Sequence, residues 1–327
     1  MPRAAMAMAL AGVAVAGCGG HTKPRGGAEP AVAPATDQRP AGRSVLVGGS
    51  PEGIVADGQT GLVAVATRDP AQIVLISERR GRVIARVSIR GAARHLALAR
   101  AGGPVLVPEE PARQLLELSL RDRRSPSIAV GVGPHDATQD DGRVFVGNEF
   151  GKSLSVIEGT RVVDQIGGYV QPGGIAAVGP AVAVVDVGAD TVSLLNARSL
   201  RLIGRLRAGA GPTHVVAGAG GRLYVIDTRG DAVLTYATRP RLRLLSVMHL
   251  AGTPYGVASD PVRDRVWVTL TATNQLVELD VSGATPRVAR IYATARQPNT
   301  VAVDPSRGTV FVANARTGTV QAINPGA

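Results

Sequence analysis

Aromatic residues make up only 3% of this 327-residue chain, so any large core must be packed by small aliphatic side chains. There is one cysteine, which excludes disulfides within the chain and clusters of metal-binding thiolates. Lysine is nearly missing: Lys23 and Lys152 stand alone, and arginine carries most of a +11 charge built from 36 basic and 25 acidic residues. Those arginines are spread along the chain without aromatic interleaving, which argues against a nucleic-acid partner. High-GC codon usage accounts for them as simply as attraction to anionic envelope polymers or lipids would. No HExxH, GxSxG or CxxC motif occurs. The run from Gly147 to Ser153, GNEFGKS, imitates a phosphate-binding loop, but it is one residue short between its glycines and no helix follows.

The amino terminus is informative. Arg3 precedes an uncharged, mostly apolar run from Ala4 to Gly17, too short to span a bilayer but suited to the core of a signal peptide. Small residues, Val15-Ala16-Gly17, lead directly into Cys18. This resembles a bacterial lipoprotein signal with its lipobox. The resemblance implies cleavage after residue 17, lipidation of Cys18, and a protein held on the extracytoplasmic face of a cell membrane. Residues 18–43 would then be a lipidated cysteine and a Gly/Pro-rich disordered tether, able to reach about 80 Å if extended.

From residue 44 the chain repeats. The window VFVANARTGTVQAI from Val310 overlays, without gaps, windows starting at Val63, Val105, Val144, Val182, Leu223 and Val266. The third column is always valine (Val65, Val107, Val146, Val184, Val225, Val268, Val312) and the eleventh always aliphatic. Ten or so residues ahead of each window lies a second element, marked by Pro51, Pro134, Pro172, Pro212, Pro254 and Pro298, with Ala93 in the second copy. Short apolar runs separated by Gly, Asp and Asn are hairpin signals, and four strands with a period near 40 make one propeller blade. Residues 44–327 are therefore expected to be all-β: a seven-bladed β-propeller of four-stranded antiparallel blades. We label the strands of each blade a to d, with a following the proline. The seventh copy lacks d, and SVLVGG at residues 44–49 matches that strand, so the N-terminal strand should close the last blade. Phrases such as RLYVID, RVWVTL and TVFVAN resemble YVTN-type propeller repeats, found in secreted and surface-attached bacterial proteins.

Strand a is expected innermost, so the residues after each proline ring the channel mouth. These supply the candidate ligand-binding residues: Glu52, Arg94, His95, His135, Asp136, His214, Tyr255 and Asn299. Three of the four propeller histidines fall here. His95 and His214 stand two residues after the proline column and His135 one, so strict strand alternation would point them apart; neither a metal nor a cofactor is expected, and no catalytic residue is assigned. Asp and Asn at the ends of strands a and b read as turn residues. The function expected is a monomeric binding or scaffold module for an envelope protein, glycan or small ligand. The alternative is a propeller hydrolase or lyase, lactonase-like or streptogramin-lyase-like, with its site at the mouth.

Overall fold

The computed structural model describes residues 26–326. The expected signal peptide and Cys18 lie outside them. Among the described residues no helix is long and apolar enough to cross a membrane.

The repeat folds as its periodicity requires. Seven four-stranded antiparallel sheets follow one another, six of them built from consecutive strands. Blade 3 is representative, with strands Pro134–Asp140, Arg143–Asn148, Ser153–Glu158 and Arg161–Ile166. Each sheet is apolar on both faces, so blades must pack against one another, and the core lies in the seams between them. The third-column valines are all fully buried. One seam joins Val185, Val192 and Leu194 of blade 4 to Val225, Leu234 and Tyr236 of blade 5. Strand a of each blade touches strand a of the next, lining the central channel.

The seventh sheet is completed by the strand Arg43–Leu46, which pairs antiparallel with Thr319–Ile323 in the register Val45↔Val320. The chain holds this strand past its end: the Val47 N–H donates to Gly318 O (2.9 Å), and Val47 is fully buried between blades 7 and 1.

Two features depart from the sequence reading. Strand a of blade 2 shrinks to Ala97–Leu98. Extending its register, Ala97↔Leu106, places Pro108 opposite His95. Proline has no N–H to give a ladder there, so Arg94 and His95 stay outside the sheet. The second departure is in the expected tether. Residues 26–42 form no regular element, yet they lie against the ring: Ala33 is buried, and the Ala41 N–H donates to Ala293 O (2.9 Å). Composition hid this because docking relies mainly on main-chain groups of the segment, bonded by side chains from blades 5 to 7, with only the small Ala28 and Ala33 side chains buried.

Substituting Val47 by Asp places an unpaired charge in the closing seam and should destabilise the ring by about 3 kcal/mol or more. Denaturant unfolding measures this; an unchanged midpoint would show that the ring closes without this strand.

Candidate functional site

The six proline-marked strands share a local irregularity. Each slips register just after its proline, as between Pro134 and Asp136 in blade 3 or Pro212 and His214 in blade 5. A bulge places two residues opposite one and so resets which side chains point inward. This is why the expectation of diverging histidines fails. His135 occupies the bulge of its strand, His214 follows the bulge of its own, and His95 is free of the ladder altogether.

The three imidazoles converge across the mouth and extend into a fourth ring. Centroids of His135 and His95 are 4.7 Å apart, His95 and His214 4.6 Å, and His214 and Tyr255 4.7 Å with edge-to-face packing. These rings come from blades 3, 2, 5 and 6. Blades 1 and 4 contribute glycine at the facing positions. A Cβ on Gly174 would sit 3.0 Å from Thr213 O and 3.2 Å from His214 Cα; one on Gly53 would sit 3.1 Å from the His95 carbonyl carbon. The glycines thus let the histidine-bearing backbones approach.

The rings differ in charge. His95 Nε2 and His214 Nε2 are 3.2 Å apart, so one donates and the other accepts. Burial, with the neighbouring imidazoles, holds His95 well below its ordinary range. Burial, with His135 beside it, lowers His214 to about 3. His135 behaves oppositely. Burial pulls it down, but Glu110 (3.4 Å from Nδ1) and Glu149 (3.0 Å) outweigh that and raise it to about 9. Glu149 is correspondingly lowered: burial works against its charge, but His135 and Gln171 outweigh it, with Gln171 Nε2 donating to Oε1 (2.7 Å). The site therefore holds an imidazolium in contact with a neutral imidazole pair. Glu110, His135 and Glu149 also place one ligand atom each within 4.8 Å of the others, a set that a divalent cation could occupy; two carboxylates on one imidazole nitrogen equally suit a proton.

The other candidates divide. Arg94 bonds the Glu29 carboxylate (2.7 Å); burial disfavours its charge, but the Glu29 and Glu52 carboxylates favour it and the guanidinium stays charged. Glu52 pairs with Arg68 (2.6 Å). Asn299 Oδ1 accepts from Gln297 Nε2 (3.0 Å). Asp136 points away from the cluster. Its carboxylate accepts the N–H groups of Ala137 (2.8 Å) and Ile175 (3.0 Å), tying blade 3 to blade 4, and burial raises it to about 6. The strand-b ends are latches: Asp186 accepts from the Val170 and Gln171 N–H groups, and Asp227 from those of Ala210 and Gly211.

Glu110, Glu149 and Arg68 escaped the sequence reading, though a signal existed. All three are the sixth residue of the aligned window, one past the end of strand b, where the b-to-c turn rises beside the mouth. Thr271 shares that column and accepts the Ala31 N–H of the N-terminal segment. The varying column, rather than the constant ones, carried the site.

Below the rings a cavity of about 470 Å³ runs down the channel, lined by strand-a residues of all seven blades. Above them lies the N-terminal segment. Only about 20 Å³ remains between Gly27–Glu29 and the His135, Glu149, His214 and Tyr255 side chains, and about 140 Å³ between Glu29, Pro30 and the Glu52, Arg68 and Arg94 side chains.

No family model matches the chain, and no curated protein matches it. Solved structures resemble it over most of its length. A chain of the mitotic checkpoint complex is 12% identical, with a TM-score of 0.76, covering 90% of this chain and 95% of that one. A streptogramin B lyase is 14% identical, with a TM-score of 0.72, covering 85% and 94%. A catalytically inactive histidine-to-alanine variant of virginiamycin B lyase from Staphylococcus aureus, with quinupristin, is 14% identical, with a TM-score of 0.70, covering 84% and 94%. At these identities the likeness is one of fold.

The charge split has a direct readout. His135 should remain an imidazolium at pH 7.5 while His95 and His214 stay neutral at pH 5, measured by nitrogen-15 imidazole shifts. The raised value of His135 means that its contribution to stability is complete below its ordinary value of 6.5 and is lost as pH rises through about 9. Glu149→Gln should therefore destabilise the protein by about 1–3 kcal/mol at pH 6.5 and by less at pH 10.

Proposed function

We propose that the mouth of this propeller is an acid–base catalytic site for a small polar substrate, and that the protein works on the extracytoplasmic face of a membrane, anchored through Cys18. The expectation from sequence was a binding module, with a hydrolase or lyase as the alternative; the chemistry of the mouth favours the alternative. One observation carries this: three buried imidazoles in mutual contact, of which only His135 faces carboxylates, Glu110 and Glu149, so that their surroundings drive the proton affinities apart. Groups whose surroundings drive their proton affinities apart are suited to opposite roles. His95 or His214 would take a proton from the substrate or an attacking water. His135, charged by Glu110 and Glu149, would give one to the departing oxygen. The pair gains a proton and His135 loses one, so the net charge of the site is unchanged and exchange with water resets it. Arg94 and Tyr255 would hold an anionic or carbonyl oxygen nearby.

Elimination and ester hydrolysis both need this combination. A streptogramin B lyase and a virginiamycin B lyase share the propeller architecture, and the latter has a catalytically inactive variant in which a histidine is replaced by alanine. That supports the reaction class without naming the substrate. The YVTN-like repeats and the lipobox fit a secreted, surface-held protein.

A Cys18→Ser chain, assayed against cyclic depsipeptides and lactones, should turn over at least one of them. His214→Ala should then lower kcat/KM about a hundredfold or more. The rate should fall as pH rises through about 9, where His135 loses its proton, and Glu149→Gln should move that limb downward. An active His214→Ala variant, an unmoved limb, or activity abolished by chelators would defeat this assignment. In cells, Cys18→Ser should shift the protein from the membrane to the soluble fraction and remove its acyl mass; unchanged fractionation would refute the anchor.

A further inference from the structure

The segment over the mouth is held as a ligand is held. It joins no sheet. Thr271 Oγ1 accepts the Ala31 N–H (3.0 Å). The Gln297 amide grips the next two peptide units, with Nε2 donating to Ala31 O (2.8 Å) and Oε1 accepting from the Ala33 N–H (2.8 Å). Arg296 Nε donates to Ala33 O (3.0 Å) and Asn274 Nδ2 to Pro34 O (3.0 Å). All of these bonds reach main-chain atoms, so they read an extended backbone and leave most side chains unread. Val32 accordingly points outward, 81% exposed, while Ala33 is seated at 1%. Among the described residues the segment makes one ion pair with the ring, Glu29 on Arg94, two residues before the first gripped amide. That carboxylate and Gly27–Pro30 fill the space in which a ligand would meet the histidines.

Side chains that bond main-chain groups across an open surface form a recognition groove, and a carboxylate on a half-buried arginine adds a charge-assisted anchor. We infer that Thr271, Asn274, Arg296 and Gln297, together with Arg94, form a binding site for an extended acidic peptide, occupied in cis by residues 26–34, whose departure opens the histidine cavity. The peptide it accepts has a carboxylate two residues ahead of a small residue with a free N–H, and a second small residue two positions further on. Proline between the carboxylate and the first small residue is tolerated, since Pro30 makes no main-chain bond in the groove. The site concerns occupancy and not turnover, so it stands or falls separately from the catalytic reading.

The test uses the full chain carrying Cys18→Ser. Glu29→Arg with Ala33→Asp should undock the segment and leave the groove intact. A synthetic peptide of residues 26–36 should bind this variant at micromolar concentration by calorimetry, and bind the parent at least about tenfold more weakly, because there it competes with the tethered copy. Adding Arg94→Gln to the variant, or using a peptide with Glu29→Gln, should each weaken binding about tenfold or more. A peptide that binds neither protein, while both unfold cooperatively at similar temperatures, overturns the inference; so does equal binding with and without the carboxylate. Hydrogen exchange in the parent provides a second test that needs no strap substitution. The Ala31 and Ala33 amides should exchange about a hundredfold or more faster than those of Val146 and Val184, showing release from a folded ring. Exchange at the same rate as those core amides would mean that the segment leaves only on global unfolding, and would overturn the gating.

Discussion

The pairing of Arg43–Leu46 with Thr319–Ile323 is the contact on which this molecule depends. A blade is apolar on both faces, so it is stable only between two others, and seven blades satisfy one another only if the ring is shut. Closure by the two ends of the chain turns a row of dependent sheets into a single body. It also fixes the direction from which the preceding residues arrive. Gln321 Nε2 donates to Ala41 O and to Ala293 O, so the chain is clamped at blade 7 before it crosses the loops towards the mouth. The strap over the histidines is a consequence of how the ring closes.

The channel mouth depends on a second constraint, the bulge after each proline. Regular strands would alternate their side chains and scatter the histidines around the channel. One extra residue in strand a reorients the next side chain, and glycines in blades 1 and 4 leave room for the strands that bear His95 and His214. Convergence of three imidazoles then makes electrostatics decisive. Desolvation keeps two of them neutral, and two carboxylates from the b-to-c turns of blades 2 and 3 suffice to charge the third.

Much of this was legible in the sequence. The constant valine column gave the blade count, the positions of the strands and the buried core, because apolar periodicity reports burial directly. The missing seventh d strand and its match at residues 44–49 announced the closure. Most of the candidate residues chosen by position lie around the channel mouth. What misled was any inference about side-chain direction. Asp136, chosen as a mouth residue, accepts an N–H of the next blade and so ties blade 3 to blade 4; His95 looked like a strand residue and lies outside the ladder, opposite Pro108.

By itself, then, the sequence determined the architecture: period, hydrophobic pattern and turn residues are local properties repeated seven times, and repetition makes them readable. Only the tertiary structure decided the chemistry. Glu110 meets His135 from another blade, His95 meets His214 across the channel, and Glu29 meets Arg94 from 65 residues away. None of these pairs has a fixed spacing along the chain, because ring closure and bulge geometry, rather than sequence proximity, bring them together. A segment whose apolar side chains are small could also dock, because the groove that holds it bonds to the peptide backbone, which every sequence possesses.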